Sequence, residues 1–193
     1  MAAKFSGTTN SPGLASDTDV QFLDTTLRDG EQAPGVSLTA DQKATVARKL
    51  DAAGVSVVEA GSACTSAGER ETIRRVTGLD LDATVTSFCR GVKRDVELAL
   101  DCGVDGVNLV VPASDRHVER KVGTTREDVL DTTRELVEFA TDHGLWVEVI
   151  GEDGSRADLD FLSCLFSSTT SPGAGVPGAT QILYLSPKYQ RAT

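Results

Sequence analysis

Short apolar runs alternate with longer amphipathic segments along most of this chain, and this alternation limits the fold more than any other feature of the sequence. The apolar runs are candidate strands, at Val20–Asp24, Val55–Ala60, Ala83–Phe88, Gly106–Val111 and Leu145–Ile150. Each run is nearly continuous in apolar residues, as expected for parallel strands that are covered on both faces. The pattern therefore predicts an α/β protein with a parallel sheet.

The segments between the runs carry start and stop signals for helices. Thr39 with Gln42, and Thr124 with Glu127, match the capping box, in which the residue three positions after a threonine closes the first turn. Glycines stand where three of the helices must end, and they predict left-handed caps at Gly54, Gly103 and Gly144. These junctions favour repeated strand–helix units.

Two architectures fit such a repeat, an open doubly wound sheet or a closed barrel of eight units. The first strand is followed by TTLRDGEQAPG rather than by G-x-G-x-x-G, which disfavours the open sheet. A complete (β/α)8 TIM barrel takes about 250 residues. We therefore expect only the first five to six units, with a barrel domain over residues 20–166. Residues 1–19 are predicted to be a disordered leader and residues 167–193 a divergent, irregular tail, in which QILYL is a candidate sixth strand.

The net charge of −10 argues against nucleic acid and anionic membranes as partners, because both attract basic surfaces. The sequence contains no apolar run of about 18 residues and no secretory signal, so we expect a cytoplasmic protein that acts on small molecules. Its preference for Asp and Arg resembles that of proteins from halophilic, high-salt cytoplasm. Its four scattered cysteines are expected to be buried thiols.

Polar residues cluster directly after the first strand, where Arg28, Asp29, Glu31 and Gln32 surround a glycine. In parallel α/β folds, reactive groups collect where strands end. A carboxylate such as Asp29 suits magnesium, manganese or zinc, and Arg28 can bind an anion. Together they suit a substrate with a carboxylate next to a carbonyl. The alternative is an Arg–Asp pair that closes a turn.

Five further residues on the later strands are notable. Asn108 is polar within the apolar run GVNLVV, so it must find a partner or face a cavity. Along the fifth strand, Glu148, Ile150 and Glu152 share one face by period-two alternation. Glu59 ends the second strand. These residues are expected to meet at the same end of the sheet.

Five motifs in order resemble the acyl-CoA condensing enzymes that include 2-isopropylmalate, citramalate and homocitrate synthases: DTTLRDGEQAPGVSLT, VVEAGSACTSAGERE, VTSFCRG, VNLVVPASDRHVERK and VEVIGEDGSRADLDFL. The resemblance extends from about Val20 to Phe166. It implies a metal-dependent TIM barrel related to hydroxymethylglutaryl-CoA lyase. Such enzymes join acetyl-CoA to a 2-oxo acid in branched-chain amino-acid biosynthesis, and an intact enzyme is expected to be a homo-oligomer.

The resemblance also implies roles for individual residues. Asp29 corresponds to a ligand of the divalent metal and Arg28 to the group that stabilises the developing oxyanion. Glu152 corresponds to a residue near the metal and the reacting acyl group, and Glu59 to a residue that supports the site. Glu59 and Glu152 are therefore catalytic candidates together with Arg28.

The resemblance assigns the 2-oxo acid to Gln32 and Asn108, with Ile150 lining its pocket. An isoleucine beside an acid disfavours a substrate with a second carboxylate, which would need its own partner. Pyruvate and 2-oxoisovalerate both fit. The EAGSA turn resembles the citramalate branch, so pyruvate is the first choice.

The sequence departs from the family in its histidines. The family completes its metal site with an H-x-H pair, whereas His117 and His143 are far apart. His143 is expected to cap a helix, and His117 either makes a loop contact or reaches the site. Two functions therefore stay open: a condensing acyltransferase, or a truncated, non-catalytic barrel fragment or interaction protein that pairs through an open sheet edge. A lyase of the hydroxymethylglutaryl type is a less favoured function, because the usual motif of those lyases differs from RDGEQ at the glutamate.

Overall fold

The computed structural model describes residues 21–169 and 179–183, and its elements alternate as predicted. The strands are β1 (Leu23–Asp24), β2 (Val57–Gly61), β3 (Thr84–Arg90), β4 (Gly106–Pro112), β5 (Trp146–Glu152) and β6 (Ala179–Leu183). The helices are α1 (Ala40–Ala52), α2 (Ala67–Thr77), α3 (Lys93–Leu100), α4 (Arg126–Asp142) and α5 (Leu159–Thr169). Within these described ranges, no helix is long and apolar enough to cross a bilayer.

The order of the strands decides between the two predicted architectures. All neighbouring strands are parallel, and they follow one another in chain order from β1 to β6. An open doubly wound sheet would reverse its order at a switch point, whereas a barrel adds each strand beside the last. The prediction of a partial (β/α)8 barrel is therefore confirmed.

Alternate residues of the strands form the hydrophobic core with the helices. Val58, Val85, Val107, Leu109 and Val149 are buried on this outer face. They belong to one cluster with apolar residues of every helix, including Ala47, Ile73, Val96, Leu136 and Leu165. Burying such side chains stabilises the fold by about 1.5 to 3 kcal/mol each. The intervening residues point to the inner, concave face of the sheet.

The predicted helix signals are confirmed with one correction. Thr39 and Gln42 form the capping box of α1, through bonds of 3.3 and 2.8 Å. At α4 the box uses Thr125 and Asp128, not Thr124 and Glu127. The reason is that the Asp128 carboxylate accepts hydrogen bonds from both the backbone and the hydroxyl of Thr125. The left-handed glycines are confirmed, with φ between 72° and 83° at Gly54, Gly103 and Gly144.

The boundaries of several elements differ from the sequence prediction. Strand β1 has two residues, and Val20 lies outside the described residues. Strands β3 and β5 continue two residues further than predicted, to Arg90 and Glu152. Helix α5 continues to Thr169, and β6 overlaps the candidate strand QILYL. The leader and the rest of the tail lie outside the described residues, so their predicted disorder stays a prediction.

Candidate active site

The inner face of the sheet carries polar side chains that are as deeply buried as the apolar core. Glu59 of β2, Thr86 of β3 and Asn108 of β4 are 0% exposed, and Glu148 of β5 is 1% exposed. In register, Glu59 is paired with Thr86, and Asn108 with Glu148. Buried polar groups require hydrogen-bond partners, so the contacts of these four residues decide what the inner face can do.

A hydrogen-bonded network connects the end of β1 to this inner face. The Arg28 guanidinium donates from Nε to Glu59 Oε2 at 2.6 Å, and Asn108 Nδ2 donates to Glu59 Oε1 at 2.8 Å. Arg28 also bonds to Asp29 Oδ1 at 3.1 Å and stacks 4.8 Å from the centre of the Phe88 ring. Charge-assisted bonds and ring stacking fix the guanidinium plane.

The two glutamates of the inner face have raised pKa values. Burial raises the pKa of Glu59 above its ordinary value, and the Arg28 guanidinium and the Asn108 amide offset only part of this effect. Burial, followed by the negative charge of Glu59, raises the pKa of Glu148 to about 7. Two buried carboxyl groups therefore lie on one face, and Arg28 is bonded to Glu59.

A second ion-pair group holds the loop after β1 against the helices. The buried Lys43 amine of α1 lies 2.7 Å from Glu31 Oε2 and 3.0 Å from Glu69 Oε1 of α2. Glu31 also accepts a bond from the Leu38 backbone. Although burial acts to raise it, these bonds lower the pKa of Glu31 below its ordinary value. A Cβ atom on Gly61 would lie 2.0 Å from the Glu69 carboxylate, so a larger residue there would displace the Glu69 side chain from its present position.

The end of β5 forms a separate polar cluster. Lys121, on a π-helical turn at Arg116–Val122, bonds both oxygens of Glu152 at 2.7 and 2.6 Å. His117 Nδ1 lies 3.3 Å from Glu152 Oε2. The next residue, Asp153, has a left-handed backbone with φ of 62°, and its carboxylate accepts a bond from Ser114 at 2.6 Å. Strained backbone of this kind is frequent at functional sites.

The structure brings four of the seven predicted site residues into one bonded group, Arg28, Asp29, Glu59 and Asn108. Gln32 instead lies exposed on a single 3-10 turn at Gly30–Gln32. Ile150 is buried on the inner face, two residues beyond Glu148. Glu152 is bonded to Lys121 rather than to Arg28. His143 caps α4 as expected, with its ring 2.7 Å from the Phe139 carbonyl oxygen.

The described residues do not form a complete divalent metal site. Within residues 21–169 and 179–183, no group of three or more His, Cys, Asp or Glu side chains is arranged to hold a metal ion. The Asp29 side chain is 37% exposed, and Oδ1 already bonds Arg28. Catalytic metal centres use about three protein ligands. Asp29 is therefore at most one ligand of such a site.

Three charged residues that the structure buries or pairs had no role assigned from the sequence, and they are Lys43, Lys121 and Glu148. Glu148 had the clearest signal, because a charged residue within an apolar strand is as unusual as Asn108 in β4. The two lysines had no signal, because lysine within a helical segment normally faces solvent. Their partners lie on other elements, beyond the reach of local patterns.

The sequence of the chain is similar to those of known proteins. The HMGL-like family matches residues 19–182. The (R)-citramalate synthase CimA of Methanocaldococcus jannaschii is 50% identical over 155 residues, and the Probable 2-isopropylmalate synthase of Methanopyrus kandleri is 45% identical over 155 residues. Each alignment covers 80% of this chain, which spans 32% and 31% of the length of those relatives.

A solved structure supports the fold. The crystal structure of hydroxymethylglutaryl-CoA lyase from Pseudomonas aeruginosa has a TM-score of 0.64 and 21% sequence identity. The match covers 78% of this chain and 54% of that one. Its partial coverage agrees with the six parallel strands described above, which make up only part of a closed barrel.

Proposed function

Because this chain belongs to the HMGL-like family, we propose that it carries part of the active site of an acyltransferase that joins acetyl-CoA to a short 2-oxo acid. The observation that carries this proposal is the network of Arg28, Glu59 and Asn108 at the end of β1. The names of the relatives, citramalate synthase and 2-isopropylmalate synthase, support the same reaction class. Small-molecule substrates, a homo-oligomeric enzyme and a cytoplasmic location are parts of the proposal.

Arg28 is the residue to which we assign stabilisation of the oxyanion. Attack on the keto carbon of a 2-oxo acid places negative charge on the former carbonyl oxygen. A guanidinium that is already oriented stabilises this charge without further rearrangement. Glu59 and the Phe88 ring orient Arg28, while 19% of its side chain stays accessible for a substrate. Glu59 thus acts through Arg28, as a positioning residue.

The residues around the network favour a short, apolar 2-oxo acid. Ile150 offers an apolar contact, and Glu148 lies beside it on the same strand. A dicarboxylate would bring its second charge towards acidic groups, which costs free energy. We therefore propose pyruvate as the first substrate and 2-oxoisovalerate as the second, with Asn108 and Gln32 as contacts.

The remaining assignments concern the metal and the acyl group. Asp29 is proposed as one ligand of a divalent ion, and the described residues form no group of three His, Cys, Asp or Glu side chains that would complete the site. Glu152 is proposed to act near the acetyl group. In the structure its carboxylate is bonded by Lys121, so that pair must separate before Glu152 can accept a proton.

Release of free CoA thiol from acetyl-CoA, in the presence of pyruvate and a divalent metal, tests this proposal. We expect release with pyruvate to exceed release with 2-oxoisovalerate. Arg28→Met should reduce the rate by at least about 100-fold, as expected for loss of an oxyanion donor. Arg94→Met, on the exposed surface of α3, is the matched control and should leave the rate unchanged. A folded sample that releases no thiol would contradict catalysis by this chain.

One observation supports a second candidate, a barrel fragment that binds another chain. Strand β1 pairs only with β2 among the described residues, and the neighbouring Phe22 is 66% exposed. Open edges of this kind pair with other strands. In this case, native mass spectrometry with a full-length citramalate synthase should detect a complex. Leu23→Pro should weaken it, because proline removes a backbone donor from the edge.

A further inference from the structure

Two buried acceptor atoms, on residues that face each other across two neighbouring strands, have no hydrogen-bond partner in the described part of the chain. They are Asn108 Oδ1 and Glu148 Oε2. Asn108 and Glu148 are paired residues of β4 and β5, so their side chains leave the same face of strands about 4.8 Å apart. Both oxygens therefore lack a donor, and the Thr86 hydroxyl, a further group of this face without a partner among the described residues, bonds neither of them.

The orientation of Asn108 is already fixed by its other contact. Its Nδ2 group donates one of its two N–H groups to Glu59 Oε1 at 2.8 Å, and this orientation leaves Oδ1 at the other end of the amide without a donor. An unpaired buried acceptor is unfavourable, because the hydrogen bonds that it made to water in the unfolded chain are not replaced. A proton on Glu148 would convert one of the two acceptors into a donor and satisfy both atoms.

The charges around Glu148 favour this protonated form. Glu59 on β2 is the charged group that acts on it, with Arg28 and Asp29 behind Glu59 at the end of β1. Arg28 is bonded to both of the other carboxylates, which leaves no described cation for Glu148. An ionised buried carboxylate without a partner is strongly unfavourable, so the neutral acid is the stable form at mildly acidic pH.

We propose that Glu148 is a proton-bearing positioning residue, whose carboxylic acid donates a hydrogen bond to Asn108 Oδ1 and so holds the Asn108 amide on Glu59. Glu59 in turn orients Arg28. The function of Arg28 rests on the proposed reaction, whereas the proton on Glu148 does not.

The proposal also makes the network sensitive to pH. When Glu148 releases its proton to solvent, its carboxylate becomes an acceptor for the Asn108 amide. Asn108 then rotates so that Nδ2 is shared between Glu148 and Glu59, and its bond to Glu59 weakens. Arg28 keeps its own bond to Glu59 Oε2 but loses the fixed position of that carboxylate. A single proton is thus coupled to the orientation of a guanidinium on a different strand.

Infrared spectroscopy of the wild-type chain tests the proton directly. We expect the carbonyl stretch of a buried carboxylic acid at about pH 5.5 and its loss at about pH 8.5, on either side of the raised titration range. The pH-dependent change in this band should be absent in Glu148→Gln, which separates it from any band of Glu59, whose pKa is also raised by burial. Glu69→Gln, a partly exposed glutamate outside the sheet, is the matched control and should retain it.

The side-chain amide of Asn108, followed by ¹⁵N NMR, tests the coupling. Its two proton resonances should move between the same two pH values in the wild type and stay constant in Glu148→Gln. Absence of the acid band in the wild type would overturn the proposal even if the variant does not fold. Stabilisation by sodium or potassium chloride but not by N-methylglucamine chloride would also overturn it, because a bound cation would then replace the proton. Neither measurement depends on thiol release, so failure of the proposed reaction remains distinguishable.

Discussion

The two faces of the sheet are built from alternate residues of the same strands, but they are filled in opposite ways. The outer face consists of apolar side chains such as Val107 and Leu109, which pack against the helices. The inner face buries Glu59, Asn108 and Glu148 to the same degree. These side chains of the two faces are therefore equally buried, but those of the outer face are apolar and those of the inner face are polar.

This difference separates stability from chemistry within one element. Apolar contacts on the outer face contribute free energy of folding at any pH. Polar groups on the inner face contribute only while their bonds and protonation states are matched, and they cost free energy otherwise. A strand with alternating residues can thus supply a scaffold on one side and a reactive surface on the other.

The largest expected effect tests the outer face. Leu109→Ala should lower the free energy of unfolding by about 3 kcal/mol, because it removes a fully buried side chain and leaves a cavity. Val110→Ala is the control on the inner face, where the side chain is only partly buried, and it should cost clearly less. Urea denaturation at two pH values should give the same loss for Leu109→Ala at both. Equal losses for the two variants would remove the distinction between the faces.

Lys43→Met tests whether a buried ion pair outside the inner face also makes a pH-dependent contribution to stability. Lys43→Met should cost roughly 2 to 3 kcal/mol at neutral pH, since two partly buried glutamates lose their cation. The pKa of Glu31 is lowered in the fold, so its contribution is present at neutral pH and is lost as the pH falls below about 4.5. The exposed Lys49→Met on the same helix is the control. A loss that persists unchanged in acid would contradict the ion-pair explanation.

Glu148→Gln, on the inner face, should change the stability in the opposite direction, towards a more stable protein. The pKa of Glu148 is raised from 4.5 to about 7, so stability is complete below pH 4.5 and falls as the pH rises to about 7. The variant cannot ionise and should be more stable than the wild type by about 2 kcal/mol above that range. Thermal unfolding from acid to alkaline pH measures this. Parallel pH profiles for the two proteins would show that Glu148 is not the titrating group.

The smallest expected effect concerns the helix layer that covers the outer face. Thr125→Ala should destabilise the protein by about 1 kcal/mol, because it removes the cap of α4. Thr124→Ala removes only a hydroxyl contact to Asp128 and should cost less. Chemical denaturation of both variants distinguishes the two positions. A larger loss of stability for Thr124→Ala would show that Thr124 is the cap of α4, as the sequence pattern predicted.

The sequence predicted the strands and the alternation of their faces because both depend on local periodicity. It also predicted that Asn108 needs a partner, and Glu59 is that partner. The sequence left two interpretations of Arg28 and Asp29, a pair that closes a turn or a site for substrate and metal. The two residues are paired in the structure, and Arg28 also bonds Glu59, so both interpretations stay open. Whether Asp29 binds a metal stays a prediction.

Contacts between distant elements could not be predicted in this way. The pairs formed by Lys43 with Glu69, and by Lys121 with Glu152, depend on how helices and loops pack on the sheet. Even the cap of α4 moved by one residue, because two adjacent threonines offer the same hydroxyl and only the position of Asp128 selects between them. The local sequence limits which contacts a residue can make, and the packing of the elements decides which of those contacts form.

The strict order of the strands has a consequence for how the protein is synthesised. Each strand from β2 to β6 pairs with the strand that was translated one unit earlier. A nascent chain can therefore attach each new unit to structure that has already left the ribosome, without waiting for a distant segment. At each stage, the unpaired edge of the strand that formed most recently is the template on which the next strand pairs. Assembly of this fold becomes an ordered growth process with its direction set by translation.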